Sequence, residues 1–188
     1  MPEIKTIFFD RLTEEEALAI SRLTAATWPK EGRTPEGNAK NFMQQKGKHN
    51  EPPLLRSRFF TIWEGDRVIA NARIFPRIIR TPDGEVMAMA LASVCADKQL
   101  RGAGLGKQVV RAAFDLVDDG IFPLSIYQTT PDVRPFYEKL GAREIHNKII
   151  NSKAEDPTAN PFWDPVAMIY PASYEMPDGT IDLLGEGF

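Results

Sequence analysis

The chain has 188 residues and a formal net charge of −3, with 43% hydrophobic, 26% charged and 10% aromatic residues. That size and balance fit one soluble globular domain with a core of its own, and the acidic sign argues against nucleic-acid binding and favours a cationic over an anionic small molecule. Apolar runs fall short of the roughly 20 residues that cross a bilayer, so no membrane span is expected and no secretory leader is read. Cys95 is the one cysteine and His49 and His146 lie far apart, which writes no disulfide and no metal site and suits a reducing cytoplasm.

In chain order, residues 4–11 read as a strand. Thr13 and Glu16 then form a capping box ahead of Ala17, Ile20 and Leu23 at helical spacing, and Pro29 ends that helix. A second helix starts with Thr34 as N-cap and Pro35 as its first residue, and runs to about Lys46. Residues 47–53 are a polar loop. Strands Arg56–Trp63 and Arg67–Arg80 follow across the Glu64-Gly65-Asp66 turn, and Thr81-Pro82-Asp83-Gly84 turns into a fourth strand, 85–96, apolar enough to be covered on both faces. After a glycine-rich loop come a helix with Leu105, Val109, Ala113 and Leu116 on one face, a strand over Phe122–Gln128, and a short helix with Thr130 as N-cap, Pro131 first and Gly141 closing it. Strands near Arg143–Ile150 and Val166–Tyr170 finish the core, and residues 172–188 form an irregular tail. The order β-α-α-β-β-β-α-β-α-β-β describes an α+β fold: one domain over residues 1–188, with a mixed, mostly antiparallel central sheet flanked by helices.

The glycine loop is Arg101-Gly102-Ala103-Gly104-Leu105-Gly106. A dinucleotide fingerprint fails, because Lys107 or Val109 stands where its third glycine belongs and the loop follows an antiparallel meander. A Walker loop fails too, with Arg101 in place of its first glycine and Gln108 in place of its hydroxyl residue. What remains is a strand, then Arg-x-x-Gly-x-Gly, opening into a helix whose free amides and dipole suit a phosphate, with Arg101 and Lys107 adding charge. The competing reading is a helix entry that only needs glycine's flexibility. Cys95 is a weak nucleophile candidate without a neighbouring histidine.

About thirty residues on comes Phe136-Tyr137-Glu138-Lys139-Leu140-Gly141-Ala142. With Val94 through Gly106, this pair of segments resembles the two cofactor motifs of the GNAT superfamily of acyl-CoA-dependent N-acetyltransferases, over residues 86–145 most strongly. The resemblance implies a GNAT-like fold with acetyl-CoA as co-substrate and no metal. The backbone of Val94, Cys95 and Ala96 would hydrogen-bond the pantetheine arm. The amides of Gly102, Ala103, Gly104, Leu105, Gly106 and Lys107 would hold the pyrophosphate, with Arg101 beside them. Tyr137 would protonate the departing thiolate as general acid; the competing reading is core packing with Phe136 and Leu140. Thr130 stands where many members carry an asparagine that touches the cofactor. Strand five, Leu124 to Gln128, lacks the carboxylate that some members use as base. By position the base candidates are Asp97, which could instead cap the loop, and Glu85, which could be a solvated turn residue. The acceptor is expected to be an amine of a small molecule, with Trp28, Trp63, Phe162, Trp163 and Tyr174 as pocket-lining candidates. A peptide amine, a non-catalytic acyl-CoA sensor and a homodimer remain compatible with these residues.

Overall fold

A computed structural model describes residues 3–48 and 51–188; His49 lies outside the described residues, as does the middle of the 47–53 loop. The chain folds as α+β with a mixed sheet and few helices. It divides into two compact units, Met1–Phe75 with Ala92–Ala113, and Pro76–Leu91 with Phe114–Phe188.

In the first unit, β1 (Ile4–Phe8) pairs antiparallel with β2 (Arg58–Glu64), and β2 with β3 (Arg67–Thr81). The last residues of β4 (Gly84–Ala96) lie beside β3, where Asn71 Nδ2 donates to the Ser93 carbonyl at 2.8 Å and the Asp97 amide to the Ile69 carbonyl at 2.8 Å. The first strand is shorter than the 4–11 run, because Phe9–Arg11 turns into a 3-10 segment that seats Phe9 in the core.

Helix α1 (Glu14–Thr27) opens with the expected capping box: the Glu16 amide donates to Thr13 Oγ1 at 3.2 Å and the Thr13 amide to Glu16 Oε2 at 3.0 Å. Helix α2 (Pro35–Lys46) is capped by Thr34, whose Oγ1 accepts from the Gly37 amide at 3.0 Å. The two helices pack on each other and close a core of Ile7, Phe9, Leu12, Ala17, Ile20, Leu23, Phe59 and Cys95. Thr13→Ala removes one acceptor from an exposed helix end and is expected to cost about 1 kcal/mol. A thermal melt should show this as a Tm lower by roughly 2–4 °C.

In the second unit the order is β3-β4-β5-β8-β6, with β5 at Ser125–Thr129, β8 at Val166–Tyr170 and β6 at Arg143–Ile145. The β4–β5 register is parallel and confined to Met89–Ser125 and Ala90–Ile126, whereas β8 pairs antiparallel with β5 and β6. Helix α3 spans Leu105–Asp118 and helix α4 spans Arg134–Glu138.

The second unit departs from the sequence expectations in three places. The segment read as one strand over 143–150 is two, because Asn147 turns away and donates to the Pro177 and Gly179 carbonyls at 2.9 and 3.0 Å. Its second half, β7 (Lys148–Ile150), pairs parallel with β9 (Thr180–Asp182). The tail is therefore not wholly irregular: β9 also meets β3 at Arg80–Asp182, and buries Ile181 and Leu183 in a core with Ile79, Leu124, Ile126, Ile149 and Ile169. Finally, the strand expected from Phe122 begins at Ser125, because Phe122 and Leu124 are buried in the connection that precedes it.

Candidate functional site

The first unit carries the glycine loop. Strand β4 ends through Val94–Ala96, after Ser93 adopts a left-handed backbone with φ of 53°. Asp97 then caps a 3-10 turn over Lys98–Leu100. Its Oδ1 accepts from the Gln99 amide at 2.9 Å and its Oδ2 from Arg67 at 2.7 Å, so both oxygens are engaged. Gly102 and Gly104 have φ of 88° and 75°, a region that costs L-residues roughly 1–2 kcal/mol. The glycines are thus required by the turn itself.

Leu105 is buried and anchors the start of α3, while Arg101, Gly102, Ala103, Gly104 and Lys107 are exposed and Gly106 is half-buried. The first bond of the helix runs from the Gln108 amide to the Gly104 carbonyl at 3.1 Å. The amides of Leu105, Gly106 and Lys107 therefore have no acceptor within the helix. A 14-residue helix that starts this way presents donors and a positive dipole end to solvent, flanked by two cationic side chains. Chemically, such an end can hold a phosphate group.

Cys95 sits just upstream with its thiol in the core and hydrogen-bonded with Thr27; burial pushes it up to about 12. A thiol so far from ionisation is inert at neutral pH. A thiol reagent at pH 7.5 should leave the folded protein unmodified and label one equivalent on denaturation; rapid native labelling would contradict this burial.

The second unit carries Tyr137. It lies on α4 with only 5% of its surface exposed. Its ring is 4.7 Å from Tyr127 of β5 and 4.9 Å from Phe136. Tyr127 is a neighbour that the sequence reading did not single out: its hydroxyl is shielded from solvent without a hydrogen-bond partner, and burial, with Tyr137 beside it, pushes it well above the ordinary value. It stays protonated at neutral pH. The signal was a tyrosine inside an apolar strand, which ordinarily needs a partner for its hydroxyl.

Thr130 does not serve as the helix cap. Its carbonyl accepts from the Val133 and Arg134 amides at 3.1 and 3.0 Å, and its hydroxyl bonds the Asp132 carboxylate and holds that group below its usual range. Helix α4 begins only at Arg134, with Val133 as its cap residue and Pro135 in its first turn. Glu85 is exposed and paired with Arg80 at 3.0 Å.

Of the aromatic candidates for the acceptor pocket, Trp28 and Trp163 are exposed. Trp63 donates to Thr61 at 2.8 Å, and Phe162 and Tyr174 belong to the second core. Among the described residues no group of three or more His, Cys, Asp or Glu is placed to hold a metal ion, and no helix is long and apolar enough to cross a membrane.

A family model described as an acetyltransferase (GNAT) domain matches residues 9–145. No curated protein matches the chain. Among solved structures, the chain is similar to a GNAT family N-acetyltransferase, YhbS, from Escherichia coli in complex with CoA, with 12% identity and a TM-score of 0.61 over 97% of this chain and 89% of that one. It is similar to glucosamine-6-phosphate N-acetyltransferase from Arabidopsis thaliana, with 20% identity and a TM-score of 0.56 over 82% and 99%. It is also similar to a GCN5-related N-acetyltransferase from Kribbella flavida, with 19% identity and a TM-score of 0.56, over 76% of this chain but only 33% of that longer one. At these identities the likeness is one of fold.

Proposed function

Because the chain belongs to the GNAT acetyltransferase family, we propose that it is an N-acetyltransferase that moves an acetyl group from acetyl-CoA to a primary amine of a small molecule, by direct attack in a ternary complex. The reading takes residues 1–188 as one catalytic domain, since the family match from 9 to 145 runs through both units. The observation that carries it is the loop: two left-handed glycines, Gly102 and Gly104, deliver the chain to a helix whose first three amides lack internal acceptors.

These residues fit a CoA pyrophosphate. The amides from Gly102 to Lys107 would hold it, with Arg101 and Lys107 supplying positive charge, and the backbone of Val94, Cys95 and Ala96 would hydrogen-bond the pantetheine arm. Thr130 is proposed beside that arm, with its hydroxyl bonded to Asp132 and its carbonyl to the Val133 and Arg134 amides. Acetyl-CoA, once bound, supplies the activated acetyl group.

In the reaction the neutral amine attacks the thioester carbonyl carbon. A C–N bond forms and the C–S bond breaks, with the electron pair leaving on sulfur. Tyr137 gives its hydroxyl proton to that sulfur as general acid, and the amine nitrogen loses its own proton. Asp97 is the base candidate nearest the loop, but with both oxygens engaged it would have to release Arg67 first. We therefore assign it to anchoring the loop, with proton loss through water. The inert Cys95 thiol leaves no role for an acyl-enzyme, and a chain with one cysteine is proposed for a reducing cytoplasm.

The test is release of free thiol from acetyl-CoA across a panel of small amines. Thiol release that depends on one acceptor class supports the transferase and identifies its substrate. Binding of acetyl-CoA without release from any amine would replace it with a non-catalytic acyl-CoA sensor.

A further inference from the structure

The first unit holds a cation that its fold neither fully exposes nor pairs. Arg73 stands in the middle of β3, directly opposite Phe59 of β2. Its guanidinium lies over four phenyl rings, 4.8 Å from the centroid of Phe9, 5.1 Å from Phe75, and 5.8 Å from Phe42 and Phe59. The side chain is half-buried, and its Nε is shielded from solvent with no hydrogen-bond partner. Among the described residues the Arg73 side chain makes no hydrogen bond and no ion pair. Glu51 is the carboxylate whose field reaches it, and that carboxylate accepts from Ser57 Oγ at 2.7 Å. Burial draws the guanidinium down to about 10, which leaves it charged at neutral pH.

The fold treats another ring-stacked arginine differently. Arg58, over the Phe8 ring at 4.9 Å, donates to the Arg56 and Leu54 carbonyls at 2.9 and 2.7 Å. The rings around Arg73 offset part of its desolvation, but they provide no acceptor for the shielded Nε–H.

Two residues back along the same face of β3 is Asn71, fully buried. Its Nδ2 is used by the Ser93 carbonyl, whereas its Oδ1 is shielded from solvent and accepts nothing. A donor group lacking an acceptor and an acceptor lacking a donor thus share one strand face, with their Cα atoms roughly 7 Å apart. Buried polar groups in folded proteins are ordinarily paired, so this strand face is an exception, and Arg73 is its member within reach of a ligand.

We propose that Arg73 binds an anionic group on the acceptor through its guanidinium, so that the acceptor is an amine carrying a carboxylate or a phosphate. This rests on the transferase reading above and names its substrate class. The planar guanidinium fork matches both anions bidentately. The local charge here runs against the acidic sign of the whole chain, which favoured a cationic ligand.

Two measurements test the assignment. In 15N NMR of the wild-type protein, with the Arg73 Nε–H resonance identified by its loss in Arg73→Lys, sodium acetate and inorganic phosphate are titrated against sodium chloride at matched ionic strength. A saturable shift with acetate or phosphate, and none with chloride, is expected; whichever anion saturates at lower concentration identifies the group. No saturable shift with either overturns the proposal. Because that readout needs no turnover, thiol release in its absence would leave the transferase standing and remove only the anion site.

The second measurement is kinetic. Arg73→Met should raise KM for 4-aminobutyrate or O-phosphoethanolamine on the order of 10–100-fold, and leave KM for acetyl-CoA and for butylamine unchanged. An equal loss with butylamine would mean that Arg73 serves packing alone, and would overturn the proposal.

Discussion

Tyr137→Phe is expected to lower kcat by ~10²–10⁴-fold while leaving acetyl-CoA affinity unchanged, because it removes the proposed proton donor and keeps the ring. The phenyl ring that remains keeps its contacts with Tyr127 and Phe136, so the thermal midpoint should hold. That separates the acid from the packing role, since a merely structural tyrosine would give a variant with normal turnover. Tyr127 sharpens the comparison. Its hydroxyl, also buried, is pushed well above its ordinary value by desolvation, with Tyr137 beside it adding to the rise. If Tyr127→Phe rather than Tyr137→Phe abolishes turnover, the proton donor has been assigned to the wrong member of the pair. Steady-state kinetics of the two variants, each beside a melt, decide the matter.

Gly104→Glu is expected to weaken acetyl-CoA binding by at least ~100-fold. Two effects act together. At φ of 75° any side chain strains the backbone, by roughly 1–2 kcal/mol, although a Cβ there meets no heavy atom within 4 Å. The carboxylate then places a negative charge at the helix end where the pyrophosphate would lie, against both like charge and dipole. Gly104→Ala carries the strain without the charge and should retain more of the binding. Equal retention in both variants, measured by calorimetry on folded protein, would remove the phosphate from this loop.

Much of the framework was legible because its signals are local. The Thr13–Glu16 box, the Thr34-Pro35 start and the glycines of the 101–106 loop each act within a few residues, so residue type and spacing specify them. What escaped depends on distant partners. The break inside 143–150 is set by Asn147 reaching carbonyls 30 and 32 residues away. Strand β9 is three residues long, held by Asp182 Oδ1 accepting from the Ser152 and Leu184 amides at 3.0 and 2.9 Å, a pattern too short for periodicity to announce. Phe122 and Leu124 read as strand because apolar runs report burial before they report backbone conformation.

The site was legible to the same degree. The loop and Tyr137 stand in motifs, whereas Thr130 looked like a cap until its hydroxyl was found on Asp132. Arg73 left a faint trace, a charged residue that shares with Asn71 an otherwise apolar stretch from Ala70 to Phe75. Its meaning depends on four rings from β2, β3, α2 and the turn after β1, which no single segment contains.

The transferase reading stands or falls with acetyl-CoA held by the loop from Arg101 to Lys107. Isothermal titration of the purified protein with acetyl-CoA tests it most directly. Saturable binding at one site per chain is expected, lost in Gly104→Glu and kept in Tyr137→Phe. Absence of binding to the wild-type protein would contradict it.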